Sequence, residues 1–351
     1  GEQNHTPCLI SLAITEPGAG TDVEEMDLLD KGNITCHAHK VPGGYKVNGT
    51  KIFISNGHLS TWHLVIAYSD LTKPSDNTVI AAVKTGADGF SFGRKEHKMG
   101  QKGCPASELV FKDCFVPDDQ VCMDPEQIQG LKRSRRDTAG QLLDYVLAAT
   151  RAGVGAFGTG AARGAYEAAL KFASETMVAG KLLINHEWAQ CILAEMYKNV
   201  SLARLTYVET NYANGLYGAF RELQKKPMYY YYKLMPARWL EKMLSPMMEK
   251  PKMTKLFRQK QMDGQTDAEM HRTSGWGSMA KFSATDIGMR NCHMALEMMG
   301  QAGLRHDRGA EKILRDAKLL QIYEGTNQLN RLNLFKCLIA GDIPQAVVFD
   351  E

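Results

Sequence analysis

Several features that would assign a chain quickly to a class are missing here. No CxxC pair occurs, and the eight cysteines stand singly at positions 8, 36, 104, 114, 122, 191, 292 and 337. That scatter speaks against a disulfide framework or a thiolate metal knuckle and fits reduced thiols of a cytoplasm-like compartment. No apolar run approaches the roughly 18 residues of a spanning helix, and no charged-then-apolar leader opens the chain. The expected location is therefore the cytoplasm, or the mitochondrial matrix in a eukaryote. Neither sign of charge dominates, with 42 Lys and Arg against 39 Asp and Glu, so no broad basic face for nucleic acid is expected. The one local basic run, Lys132-Arg133-Ser134-Arg135-Arg136, reads as a solvated linker. His37 and His39 alternate along a strand but have no cysteine or carboxylate partners at fixed spacing, and no metal site is expected.

What is present fits a folded chain with more than one core. The 351 residues are 44% hydrophobic and 23% charged, the ordinary globular range at a length that exceeds one typical domain. Up to about residue 123 the pattern is strand-like: Leu9 to Thr15, Tyr45 to Val47, Lys51 to Ser55, Leu64 to Tyr68, Val79 to Val83 and Glu108 to Phe111 are short runs parted by Gly, Pro, Asn and Asp. After Asp137 the runs carry helical spacing, as in Gln141 to Val146, Ala165 to Phe172 and His186 to Leu205. The expected fold class is α+β, an antiparallel β domain (1–123), a linker (124–137) and a C-terminal helical bundle (138–351).

Three motifs carry chemistry. Ile322-Tyr323-Glu324-Gly325-Thr326-Asn327-Gln328 sets a carboxylate on a turn between two helical stretches, flanked by apolar runs that would bury it as a working base needs. Taken locally, Gly325 closing one helix and Thr326 capping the next explains the same residues. Far upstream, Ile14-Thr15-Glu16-Pro17-Gly18-Ala19-Gly20-Thr21-Asp22 packs glycines and short hydroxyl residues into a loop whose backbone could approach a flat ring or a phosphate. Asn48 to Gly57 follows it. These segments, in this order, resemble the TEPGAGSD-like loop, NGTKxWITNG-like strand and QIYEGTxQ turn of the acyl-CoA dehydrogenase family. Further agreement lies in Lys98 to Gly103, in Leu109 to Asp113 before Val116-Pro117, and in Arg315 to Lys318. The resemblance covers nearly the whole chain except about 215–274, an insertion. In the family a helical domain precedes the sheet, and the sequence here opens close to the first strand, as a fragment or a chain without that domain would.

The resemblance implies an FAD-dependent dehydrogenase that converts an acyl-CoA thioester into the trans-2-enoyl-CoA, or runs the reverse reduction, with Glu324 as the base for the α-proton. It implies flavin contacts from Ile14, Thr15, Gly20, Thr21, Phe53 and Ser55, with Phe53 in place of the commoner tryptophan. Glu297, Gly300 and Gly303, which look like the family's QILGGxG stretch, would receive the adenine end of a neighbouring subunit's FAD, and Thr326 and Gln328 would lie near the flavin and its adenosine part. Thr21, Arg151, Tyr323 and Gly325 would touch the substrate, although a buried structural ion pair explains Arg151 nearly as well. One departure is large: Thr176 stands where the family carries an arginine on the FAD pyrophosphate, and threonine cannot copy a bidentate guanidinium. Ala179 likewise replaces an aromatic residue. Implied partners are the acyl-CoA, an electron-transfer flavoprotein or similar acceptor, and further copies of the chain in a homodimer or homotetramer. A non-catalytic scaffold subunit with a weakened FAD site is the alternative. The insertion holds Tyr229 to Tyr232, eight of the 18 methionines and, from Tyr217 to Met270, eleven Lys or Arg against six Asp or Glu. It suits a docking or membrane-surface contact, or else the cover of a widened tunnel or a subunit contact.

Overall fold

The computed structural model describes residues 8–128, 133–236 and 264–350, with 238, 239, 242, 243, 246, 253 and 256 as isolated positions between. Lys132 of the basic run and much of the expected insertion lie outside the described residues. Two compact units divide the chain, Gly1–Gly140 and Gln141–Glu351. Among the described residues no helix is long and apolar enough to cross a membrane.

The first unit is an eight-stranded sheet. Its strands are β1 (Ile10–Ala13), β2 (His37–Val41), β3 (Gly44–Ser55), β4 (Trp62–Tyr68), β5 (Thr78–Lys84), β6 (Phe90–Lys95), β7 (Ala106–Pro117) and β8 (Val121–Met123). They pair in the order β6-β7-β3-β2-β4-β5-β8, with β1 beside β4. Most pairs are antiparallel, but β1 runs parallel to β4 in the register Ile10↔Trp62 to Ala13↔Val65. Inward alternation builds the core from residues such as Val47, Val65, Val79, Leu109 and Phe111. Tyr45 to Val47 and Lys51 to Ser55, read from sequence as two strands, belong to one long β3. Between them, Asn48-Gly49 is an irregularity in the β3–β7 register. Gly49 has φ +142°, and a Cβ there would meet Cys36 Cα at 2.8 Å. The glycine thus marks a close approach of backbone inside the sheet.

A buried histidine fixes β1 in place. Ser11 and His63 are paired residues, and the Ser11 hydroxyl lies 2.7 Å from His63 Nδ1. On the other side His63 Nε2 is 2.8 Å from Thr85 Oγ1, whose own proton goes to Ser60 O at 2.6 Å. Thr85 must therefore accept, so Nε2 carries the proton and Nδ1 accepts from Ser11. The ring stacks on Phe90 at 4.9 Å.

The second unit is helical. Its long elements are α2 (Arg135–Glu175), α3 (Glu187–Tyr217), α4 (Lys226–Leu234), α5 (Asp267–Met299), α6 (Ala310–Leu320) and α7 (Asn327–Leu338); a short α1 (Met26–Leu29) belongs to the sheet unit. The two helical runs at Gln141 to Val146 and Ala165 to Phe172 are one helix, and α2 starts inside the expected linker. Arg136 in its first turn is bound to Asp27 at 2.5 Å and Asp30 at 3.3 Å, which gives part of the basic run a structural task. The glycines along α2 do not break it because two of them are contact points: a Cβ at Gly155 would meet Ala280 O at 3.0 Å, and one at Gly158 would meet Ala284 O at 2.7 Å. Backbone packs on backbone between α2 and α5. Larger side chains such as Leu183, Leu193 and Met196 fill the core of α2, α3 and α5 toward the other end.

Burial pushes the His63 imidazole down from its ordinary 6.5 to about 4. Between these values the unfolded chain binds a proton that the folded sheet refuses, so this contribution is complete above pH 6.5 and is lost as the pH falls toward 4. Urea unfolding of the sheet unit should lose on the order of 2 kcal/mol between pH 7 and pH 4.5 from this group. His63→Gln should flatten that slope.

Candidate active site

In the sheet unit, the Ile14 to Thr21 loop is held by charges that are out of water. Glu16 and Lys51 have side chains with no exposed surface, and Lys51 Nζ lies 2.9 Å from Glu16 Oε1. The same ammonium donates to Ile14 O at 2.8 Å. Glu16 Oε2 accepts from Thr35 N at 2.7 Å, Thr35 Oγ1 at 2.8 Å and Cys36 N at 3.0 Å. Every strong acceptor of this carboxylate is used, the condition under which a buried pair holds rather than weakens a fold. One residue along, Ile52 N donates to Thr15 O at 2.9 Å. The glycine loop is thus fastened to β3 at Lys51 and Ile52.

The next residue of β3 is the irregular one. The β3–β7 register shifts between Lys51 and Ile54, and Phe53 sits in that bulge at φ +57° with 56% of its surface exposed. Ile14, Thr15 and Thr21 are half-buried, whereas Gly20 and Ser55 are exposed. The sheet unit therefore brings Ile14, Thr15 and the bulge at Phe53 together through the Thr15–Ile52 bond, and presents an open aromatic face.

In the helical unit, the second motif forms a turn between α6 and α7. Glu324 and Gly325 both take left-handed backbone, φ +58° and +75°. Glycine does so freely, but for glutamate the conformation is strained and must be imposed by its surroundings. The imposing groups are cationic and amide donors. Arg151, 2% exposed, donates from Nε to Glu324 O at 3.2 Å. Lys281, fully buried, donates to Gly325 O at 2.6 Å and to Asn327 Oδ1 at 2.7 Å. Asn330 Nδ2 lies 3.2 Å from Glu324 O and 3.0 Å from Gly325 O. Thr326 then caps α7 by accepting from Leu329 N.

A further layer orients these donors. Arg151 Nη1 reaches Ser278 Oγ at 3.2 Å, and Asn333 bridges Ser278 and Ser274 at 2.7 and 3.0 Å. Ser274 in turn donates to Asp144 at 3.1 Å. Burial raises the Asp144 carboxyl above its usual range, against the opposing pull of the Arg151 guanidinium. The Glu324 side chain is half-buried, and Thr150 Oγ1 donates to its Oε2 at 2.8 Å.

The remaining expected residues are dispersed over the helical unit. Tyr323 is half-buried, Gly325 buried and Gln328 exposed. Glu297 is exposed near the end of α5, Gly300 at φ +54° ends that helix, and Gly303 is packed so that a Cβ would meet Leu296 at 3.0 Å. Thr176 follows the last residue of α2, and Ala179-Gly180, both at positive φ, turn the short hairpin of β9 (Met177–Val178) and β10 (Lys181–Leu182). Arg151, expected beside the substrate, has its bonds to the turn carbonyl and to Ser278. Sequence reasoning missed Glu16, Lys51, Thr150, Lys281 and Asn330. A signal existed for one of them: Ser274, Ser278, Lys281 and Thr285 recur at helical spacing and form a buried polar stripe on α5, unusual on an inward face.

The chain thus runs from an antiparallel-rich sheet unit with an anchored glycine loop to helices that strain a glutamate into a donor-lined turn. Residues 11–114 match the acyl-CoA dehydrogenase middle domain, and residues 141–216 and 232–339 match the acyl-CoA dehydrogenase C-terminal domain. The chain belongs to the acyl-CoA dehydrogenase family. It is 29% identical over 332 residues to the probable acyl-CoA dehydrogenase fadE25 of Mycobacterium leprae, covering 94% of this chain and 67% of the relative. It is 28% identical over 331 residues to the cyclohex-1-ene-1-carbonyl-CoA dehydrogenase of Geobacter metallireducens, covering 94% and 68%. The butyryl-CoA dehydrogenase of Megasphaera elsdenii shares the fold, with a TM-score of 0.69 at 24% identity over 95% of this chain and 68% of that one.

Lys51→Met should strand a buried carboxylate and lower the stability of the sheet unit by about 3–5 kcal/mol, read as a fall in the urea midpoint. Removing both charges, in Glu16→Gln with Lys51→Met, should recover part of the loss. Lys281→Met should cost about 2–3 kcal/mol in the helical unit, because two buried acceptors each lose a charged donor and keep only a neutral one.

Proposed function

We propose that the protein carries out FAD-dependent α,β-dehydrogenation of an acyl-CoA thioester, with Glu324 as the base that takes the α-proton. The observation that carries this reading is the Glu324 turn. A glutamate in left-handed backbone, fixed by Arg151 and Asn330 at its carbonyl, presents a carboxylate whose Oε1 has no hydrogen-bond partner among the described residues. Its backbone N–H is likewise without a partner among them. An acceptor for a proton and a donor for a developing enolate oxygen are what removal of a weakly acidic thioester α-proton requires.

The residues of the sheet unit fit a flavin ring. Phe53 offers an exposed aromatic face beside the fastened Ile14 and Thr15, and a Cβ at Gly20 would meet nothing within 4 Å, leaving room for close approach. Ile14, Thr15, Gly20, Thr21, Phe53 and Ser55 are the residues we assign to it, with Glu297, Gly300 and Gly303 assigned to the adenine end and Thr326 and Gln328 to the flavin and its adenosine part. Bound there, the oxidised flavin supplies a two-electron acceptor for the β-hydrogen, which leaves as hydride. Thr176 supplies no cation for the pyrophosphate, so we infer a weaker grip on the dinucleotide than an arginine would give. Thr21, Arg151, Tyr323 and Gly325 are our assignments for the substrate, and Arg151 also holds the turn through the Glu324 carbonyl. An electron-transfer flavoprotein as acceptor and a homo-oligomeric state complete the reading.

The experiment is anaerobic mixing of the purified yellow protein with a panel of saturated acyl-CoA thioesters, followed by the loss of flavin absorbance. Wild type should bleach with at least one thioester. Glu324→Gln should keep the bound flavin and lose bleaching by about a thousandfold or more. A colourless protein that FAD does not reconstitute, or rapid bleaching of Glu324→Gln, defeats the reading.

A further inference from the structure

Two consecutive residues of α2 hold the two ends of Glu324. Arg151 takes its backbone carbonyl at 3.2 Å, and Thr150 takes its carboxylate at 2.8 Å. The Thr150 hydroxyl has other acceptors in reach, Val146 O at 3.2 Å and Leu147 O at 3.4 Å, the usual back-bonds of a helical threonine. It has one proton to give, and an ionised carboxylate at the shortest of the three distances is the strongest acceptor. The bond selects one carboxylate oxygen. Oε2 is occupied, while Oε1 has no partner among the described residues.

We propose that Thr150 is a positioning residue for the dehydrogenation, anchoring Oε2 so that Oε1 is the atom that receives the α-proton. The assignment rests on Glu324 being the base. In the transfer the α C–H bond breaks and its proton goes to Oε1, while its electron pair enters the new C=C bond. The β-hydrogen leaves with its own pair to the oxidised flavin. Oε2 then becomes the carbonyl oxygen of the acid and still accepts from Thr150, so no heavy atom of the pair has to move. The bond is weaker once the charge is gone, and on that account alone it slightly opposes the transfer. Its contribution is orientation: a glutamate side chain released from its anchor spreads over other rotamers, and the fraction held for attack falls.

Thr150→Val keeps the shape and removes the donor; Thr150→Ser keeps the donor. With a thioester that bleaches the wild type, Thr150→Val should lower the limiting bleaching rate by about three- to tenfold, the scale of one ordinary solvent-accessible hydrogen bond, with the half-saturating concentration changed by less than about twofold. Thr150→Ser should restore most of the rate. Infrared difference spectra taken against the matching Glu324→Gln proteins isolate the Glu324 carboxylate stretch, and that band should shift in Thr150→Val and stay in Thr150→Ser, with or without flavin. A wild-type limiting rate in Thr150→Val, equal slowing in both variants, or an unmoved carboxylate band overturns the assignment. These results differ from failure of the base itself, which is read separately from bleaching by Glu324→Gln with Thr150 intact.

Discussion

Three side-chain donors, two of them cationic and all from the interior of the helical unit, converge on two neighbouring carbonyl oxygens. Arg151, Lys281 and Asn330 meet the backbone of Glu324 and Gly325, and the left-handed conformation of a glutamate depends on them. Without these bonds a two-residue turn of this kind would relax toward ordinary backbone, and the carboxylate would leave its direction. The donors are themselves supported: Ser278, Asn333, Ser274 and Asp144 form a chain of hydrogen bonds behind Arg151. A polar network of this extent inside a helical core is favourable only when nearly every member is satisfied, which ties the turn to the packing of α2, α5 and α7.

The sheet unit solves a similar problem with different chemistry. A glycine-containing loop has little side-chain surface with which to hold its place, and here one carboxylate does the holding. Glu16 collects three donors from Thr35 and Cys36 and an ammonium from Lys51, so the loop is clamped between the segment leading to β2 and the middle of β3. The bulge that exposes Phe53 begins immediately beyond the clamp. In both units, strained backbone stands next to a buried charge that makes the strain affordable, as expected where geometry rather than stability is the selected quantity.

Much of this was legible in the order of motifs and in the change of hydrophobic period near residue 123. The period of two identified β1 and β4, whose alternate residues are buried; β5 was found as a short apolar run and is buried along most of its length, and β6 was missed as a mostly exposed strand whose Phe90 and Phe92 give too short a pattern. The runs Tyr45 to Val47 and Lys51 to Ser55 were read as separate strands; only the fold reveals that they are one and that Gly49 is needed against Cys36. The role of Glu324 was suggested by its motif, but its supports were not: Lys281 looks like a surface residue until the helices around it are known, and Arg151 was singled out for the substrate or a buried ion pair rather than for the turn. Arg151 shows what likeness alone leaves out: it was singled out for the site, but the bond from its Nε to the Glu324 carbonyl is visible only in the fold.

The contact of α2 with α5 through Gly155 and Gly158 has a consequence about one to two turns away along the same helices. With only hydrogen atoms between the two backbones, there is no soft layer of side chains to absorb a change in spacing, so the pair behaves as a stiff calliper. Thr150 and Arg151 ride on one jaw and Ser278 and Lys281 on the other. A single added methyl group at Gly158, remote from any reacting atom, would wedge the jaws apart and blunt the instrument by enlarging the gap in which the glutamate is gripped.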